Sequence, residues 1–140
     1  MSANAEQLLA TLNQALTLEY TLIIHYPRLA SMIQDADTRK LVNELGSASV
    51  KHADVVATAI TSLGGKANWS FHSFPPQVDL VDIFRTQLEK EKMARDLHQQ
   101  SAHMVTDGKL RDRFEEIAKE EETHIKTVEK ILKRLTALKQ

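Results

Sequence analysis

The sequence predicts an all-α chain folded as an antiparallel four-helix bundle, with a long crossover between the second and third helices. Three observations carry this expectation. Apolar residues recur at three- and four-residue spacing over four long stretches, which places them on one face of each helix. Breakers are scarce, 4 Gly and 3 Pro in 140 residues, and most of them fall between those stretches. The first and last pairs of stretches are joined by short links, which force antiparallel neighbours.

Helix one is expected near 5–32, with Asn4 as N-cap and a stripe of Leu12, Leu16, Glu19, Ile23, Tyr26 and Ala30. Pro27 should kink or break it, because the ring deletes an amide donor and meets the carbonyl of Ile23. Helix two is expected near 37–63, opened by Asp37 and closed by Gly64 in the left-handed position, with the stripe Leu41, Leu45, Ser49, His52, Val56, Ala59, Leu63. The link "GGKANWSFHSFPPQV", 64–78, can reach about 50 Å when extended, enough to return along a helix of about 39 Å. Trp69, Phe71 and Phe74 would then pack on the outside of the bundle. Helix three is expected near 79–107, capped by Asp79 and ended by Gly108, with Val81, Phe84, Leu88, Glu91, His98, Ala102 and Val105 inward. Helix four is expected near 109–137, with Leu110, Phe114, Ile117, Glu121, His124, Val128, Ile131 and Leu135 inward. Residues 1–140 are read as one domain.

Composition narrows the function. With 18 Lys+Arg against 19 Asp+Glu and no separate basic cluster, neither nucleic acid nor an anionic membrane is an expected partner. The chain has no cysteine, which removes disulfides, thiolate metal sites and thiol catalysis. Neither a signal-peptide pattern nor the roughly 20 consecutive apolar residues of a bilayer span occurs, so the expected location is the cytoplasm.

Each apolar stripe is interrupted by residues that a core should reject. Glu19, Ser49, His52, Glu91, Glu121 and His124 all lie twelve to fifteen residues into their helices. At 1.5 Å per residue that is about 18–22 Å from each helix start, half-way along whichever way the helix points. Three carboxylates and two imidazoles meeting in one low-dielectric layer would be costly without a cation to share. Glu121 and His124, three apart, project from one face and can hold one metal or two adjacent ones, with Glu19 and His52 as the opposite half. Oxygen and imidazole donors without sulfur suit Fe, Mn or Zn better than Cu(I). Tyr26, two turns after Glu19, can donate to a carboxylate ligand or serve as a core tyrosine. His98, seven residues after Glu91, is first a partner supporting a ligand, then an extra ligand or an interior histidine. Arg95, one turn beyond Glu91, could instead satisfy that carboxylate without metal. Glu115, Glu116, Glu120 and Glu122 are expected to be surface charges, and His25, His72 and His103 to be exposed.

With these residues the sequence resembles the ferritin-like di-iron carboxylate superfamily, particularly its rubrerythrin and bacterioferritin branches. That arrangement takes one Glu from each of two helices and a Glu-x-x-His from each of the other two. Glu19 and Tyr26 look like the first-helix Glu-x6-Tyr, His52 like the second-helix histidine, Glu91 like the third-helix glutamate, and Glu121-x-x-His124 like the fourth-helix motif. Ser49 departs from the pattern, standing where the family has a metal-bridging glutamate. The resemblance implies iron, two ions or one, with Glu121 as the bridge and the Ser49 side as the open edge. It also implies Fe(II) oxidation with O2 or peroxide as substrate, electrons from Fe(II) itself or an external donor, and a homo-oligomer, at least a dimer. Val50 stands where haem-binding bacterioferritins place methionine, so no haem is expected. The alternative is a structural bundle, metal-free or holding Zn or Mn at a degraded site.

Overall fold

The computed structural model describes residues 3–76 and 79–139, and positions 77 and 78 of the expected crossover lie outside them. Helix α1 spans Ala3–Ser31, α2 Ala36–Ser62, α3 Leu80–Met104 and α4 Gly108–Lys139. No strand occurs among the described residues.

Local chemistry sets most of these ends, and it corrects three expected caps. Asn4 lies inside α1. Asp35, not Asp37, caps α2, accepting from the Thr38 amide at 3.0 Å, which leaves Asp37 in the first turn where its charge complements the helix dipole. Asp107 accepts from the amides of Lys109 (2.8 Å) and Leu110 (3.1 Å), so α3 must stop before it, and Gly108 opens α4 instead of closing α3. Asp79 caps α3 through the Val81 amide at 2.9 Å, and Gly64 takes the left-handed conformation with φ 84°, both as expected. Pro27 does not break α1, which continues to Ser31.

Every pair of touching helices is antiparallel. Glu19 meets His52 and His98 while Tyr26 meets Gly46 and Glu91, so α2 and α3 both run against α1. Glu121 meets His52 while Arg134 meets Thr38, so α4 runs against α2. The Arg95–Glu122 and Asp79–Lys139 ion pairs set α3 against α4 in the same way. Helices α2 and α4 make the thinnest of these interfaces, and a groove opens between them.

The crossover runs along α1 in the same direction as that helix. Asn13 donates to Lys66 O and accepts from the Asn68 amide, Thr17 pairs with Ser70, and Thr21 Oγ accepts from the His72 amide. Trp69 and Phe71, about half exposed, set their rings edge-on against Tyr20. The crossover also buries His25, expected to be exposed: its Nε2 lies 2.9 Å from the His72 carbonyl and its ring against Phe74. Sequence spacing assigns α1 one buried face, whereas the crossover gives it a second.

The apolar core forms two clusters. One gathers Leu12, Leu16, Val56, Ile60, Phe114 and Ile117, the other Leu22, Leu29, Leu45, Phe84, Val128 and Ile131. The gap between the clusters holds Glu19 of α1, Ser49 and His52 of α2, Glu91 of α3, and Glu121 and His124 of α4.

Candidate metal centre

Glu19, Glu91 and Glu121 are fully buried, as are Ser49 and His98, while His52 is 2 % exposed and the His124 side chain 13 %. The layer inferred from helical heights therefore exists, between the two apolar clusters. Burial of carboxylates on this scale requires donors or a cation. Too few protein donors are present. His52 Nδ1 lies 3.1 Å from Glu19 Oε2 and 2.8 Å from Glu121 Oε1, His98 Nε2 lies 3.0 Å from Glu19 Oε2, and the Tyr26 hydroxyl donates to Glu91 Oε2 at 3.2 Å. His124 Nδ1 sits at 3.7 Å from Glu91 Oε2 and 3.5 Å from Glu121 Oε2, close for an ion pair but without a hydrogen bond. Glu19 Oε1, Glu91 Oε1, Glu121 Oε2 and the Nδ1 atoms of His98 and His124 are buried without hydrogen-bond partners.

Carboxylate oxygens and imidazole nitrogens are metal donors, and two groups of side chains can close on an ion. Glu19, His52, His98 and Glu121 form the first, and Glu91, Glu121 and His124 the second; within each group one donor atom per residue lies within 4.8 Å of the others. Glu121 belongs to both. The donor set fits a hard or borderline cation such as Fe, Mn or Zn.

The family model of the ferritin-like domain matches residues 9–138. The chain belongs to that family. No match is found among the curated proteins. A ferritin-like, diiron-carboxylate protein of Bacillus anthracis superposes with TM-score 0.85 at 20% identity, over 94% of this chain and 99% of that one. The dodecameric thioferritin of Bacteroides fragilis, a bacterioferritin-related protein, gives 0.81 at 22% identity over 96% and 89%. Desulfovibrio desulfuricans bacterioferritin, described with a diiron site in different catalytic states, gives 0.79 at 20% identity over 96% and 83%. At such identities the likeness is one of fold.

Electrostatics within this ferritin-like layer follow from the few donors. Burial works against a charged His52, but hydrogen bonds to Glu121 and Glu19 and their charges win, pushing its pKa up to about 10. Burial first, then the charge of Glu121, raises Glu91 well above the carboxylate range. Burial would raise Glu121 too, yet the nearby His124 imidazole and the hydrogen bond with His52 hold it below that range. Burial and the charge of Glu91 raise Tyr26, which stays a phenol donor.

Three expectations are corrected here. Arg95 does not reach Glu91; its long side chain turns out to Asp96 (3.1 Å) and Glu122 (3.0 Å), so the metal-free closure of the layer by an Arg95–Glu91 pair loses its basis. Glu120 is no idle surface charge, because its Oε2 lies 2.7 Å from His52 Nε2 although the side chain is 43 % exposed. The edge nearest solvent is not at Ser49, which is sealed, but at His124 and Glu120. Both line the α2–α4 groove of about 690 Å³, together with Arg39, Lys40, Lys51 and Arg113. Helical spacing alone misses Glu120. The available signal was chemical, since a ligand imidazole that points one nitrogen inward needs a partner for the other.

Gly46 shapes the layer from the side. A Cβ there would come within 3.3 Å of Tyr26 Cβ, so glycine lets α2 close on α1 where Tyr26 turns its hydroxyl to Glu91.

No helix among the described residues is long and apolar enough to cross a membrane.

Proposed function

We propose that this ferritin-like protein holds two metal ions in its polar layer, iron foremost, and couples Fe(II) oxidation to the reduction of O2 or peroxide. The observation that carries the reading is the position of Glu121, whose Oε1 lies 2.8 Å from His52 Nδ1 and whose Oε2 lies 3.5 Å from His124 Nδ1. One carboxylate thus faces both donor groups. Glu19, His52, Glu91 and His124 are the remaining ligands. When bound, two Fe(II) ions supply two electrons, enough with two protons to take O2 to H2O2, or H2O2 to two waters.

The chain's own residues set the conditions. The two apolar clusters keep bulk water from the ends of the layer, and the α2–α4 groove admits small solutes at its edge. Glu120, in contact with both solvent and His52 Nε2, can pass protons between them. Tyr26 donates to Glu91 and fixes which oxygen stays free. The dodecameric state of the Bacteroides relative supports a homo-oligomer, to be checked by light scattering.

The test is an anaerobic Fe(II) titration followed by exposure to air. Saturable binding of two ions per chain and oxidation faster than in buffer are expected; absence of either overturns the reading. Ser49, which offers a neutral hydroxyl and no anionic oxygen, favours one alternative, a redox-inert Zn or Mn site. Tight Zn(II) binding with no Fe(II) oxidation would select it.

A further inference from the structure

We infer that His98 is itself a metal ligand, and that the centre consists of two unequal sites: a four-donor site of Glu19, His52, His98 and Glu121 that fills first, and a three-donor site of Glu91, Glu121 and His124 that fills second. The inference rests on the metal-centre reading above. It assigns to His98 more than the support of a ligand that its sequence position suggests.

The distances carry it. Ligands about 2.1 Å from one ion stand about 3.4 Å apart in a tetrahedron. In the first group the neighbouring donor atoms lie 3.0 Å (His98–Glu19), 3.1 Å (His52–Glu19) and 2.8 Å (His52–Glu121) apart, so small outward shifts open a tetrahedral hole. In the second the separations are 3.7 and 3.5 Å, and three side chains leave at least one position to solvent. His98 can enter because α3 runs antiparallel to α1, so a residue two turns past Glu91 arrives at the level of Glu19. Its ring stacks on Phe114, with centroids 6.3 Å apart and planes at 18°, which holds the Nε2 edge toward the cluster.

Donor count and burial set the order. Ser49 gives the layer no carboxylate, and His98 adds a donor to one group only. The four donors of that group are 0–2 % exposed, whereas His124 of the other lies at the groove. Two imidazoles and two carboxylates close a tetrahedral shell for a borderline divalent ion, while the poorer shell relies on water.

Anaerobic Co(II) titration of the full chain, followed by optical absorption, tests this. The wild type should bind two Co(II) in two phases, the first tighter by about tenfold or more and carrying the intense band of a four-coordinate ion. His98→Gln keeps an amide that can donate to Glu19 but removes the imidazole, so a supporting role would survive it and a ligand role would not. It should lose the tight phase and its band, whereas His124→Gln should lose only the second phase. Equal wild-type affinities, or a His98→Gln titration like that of the wild type, overturns the inference and leaves the metal-centre reading intact; no Co(II) binding by the wild type overturns that reading itself. Should His98→Gln fail to fold, X-ray absorption of the wild type with one equivalent of Zn(II) decides: two imidazoles per ion are expected, and one overturns the inference.

Discussion

Glu120 Oε2 lies 2.7 Å from His52 Nε2, while the other nitrogen of the same ring faces Glu19 and Glu121 in the buried layer. An exposed carboxylate thus orients an inward-facing imidazole, the arrangement that fixes the tautomer of a ligand histidine and raises its basicity. Glu120→Ala is expected to weaken Zn(II) binding by roughly 10- to 100-fold while leaving the fold intact. Glu120→Gln, whose amide oxygen can still accept, should lose less. Competition titrations against a chromophoric chelator measure both, and unchanged affinity in Glu120→Ala would refute the role.

The raised pKa of His52 makes the metal-free protein sensitive to alkali. With a folded value of about 10 against about 6.5 unfolded, the native state holds more protons than the unfolded state between those values. Stability from this group is fully present below about pH 6.5 and is lost as pH rises through about 10. Glu91, also raised, has the same sign above the ordinary carboxylate pKa, whereas Glu121, lowered, gives stability that is lost only in acid. Denaturant midpoints of chelator-treated protein should therefore fall from pH 6.5 to pH 10, with a shallower slope in His52→Gln. Bound Zn(II) takes the place of these protons, so loading at pH 8 should release protons into weakly buffered solution.

The height of the site was legible in the sequence because a buried acid interrupts an apolar stripe at a depth that 1.5 Å per residue converts to distance. Glu19, His52, Glu91, Glu121 and His124 meet where that arithmetic put them, with Glu121 between the two groups. Contacts set by side-chain reach were not legible. Arg95 has the spacing to meet Glu91, yet its flexible stem carries the guanidinium outward to Glu122. Glu120 points outward by spacing and still touches His52, because the ring spans the thin α2–α4 seam. His25 is covered by the crossover, with Lys90 of α3 3.4 Å from its other ring nitrogen, and no periodicity within α1 reports a segment arriving from 47 residues away.

Ser49 is fully buried and its hydroxyl has no partner. Ser49→Glu would put a fourth carboxylate into the layer, so the effect should change sign with metal. Without metal the added buried acid must ionise unpaired or take up a proton, and the melting temperature should fall by several degrees. With Zn(II) it should supply the oxygen that the Glu91–Glu121–His124 group lacks, tightening the second ion by about tenfold or more and raising the loaded melting temperature. Melting curves with and without chelator read both arms. A variant less stable in both states would mean that residue 49 does not face the ions.

Gly46 tests whether the spacing of α1 and α2 matters to the layer. By helix propensity alone, Gly→Ala within α2 should stabilise by about 1 kcal/mol. The added Cβ, however, would stand 3.3 Å from Tyr26 Cβ, an atom one bond from the α1 backbone that cannot swing aside as a side-chain tip would. Separating the helices disturbs a packed seam, for which overpacking costs about 1–3 kcal/mol. It also draws the Tyr26 hydroxyl from Glu91. Gly46→Ala should therefore lower the denaturation midpoint. Gly108→Ala is the internal control, because a Cβ there meets nothing within 4 Å at the start of α4, and it should be neutral or slightly stabilising. If both variants gain stability alike, α1 and α2 separate without cost and the close approach at Tyr26 has no part in holding Glu91.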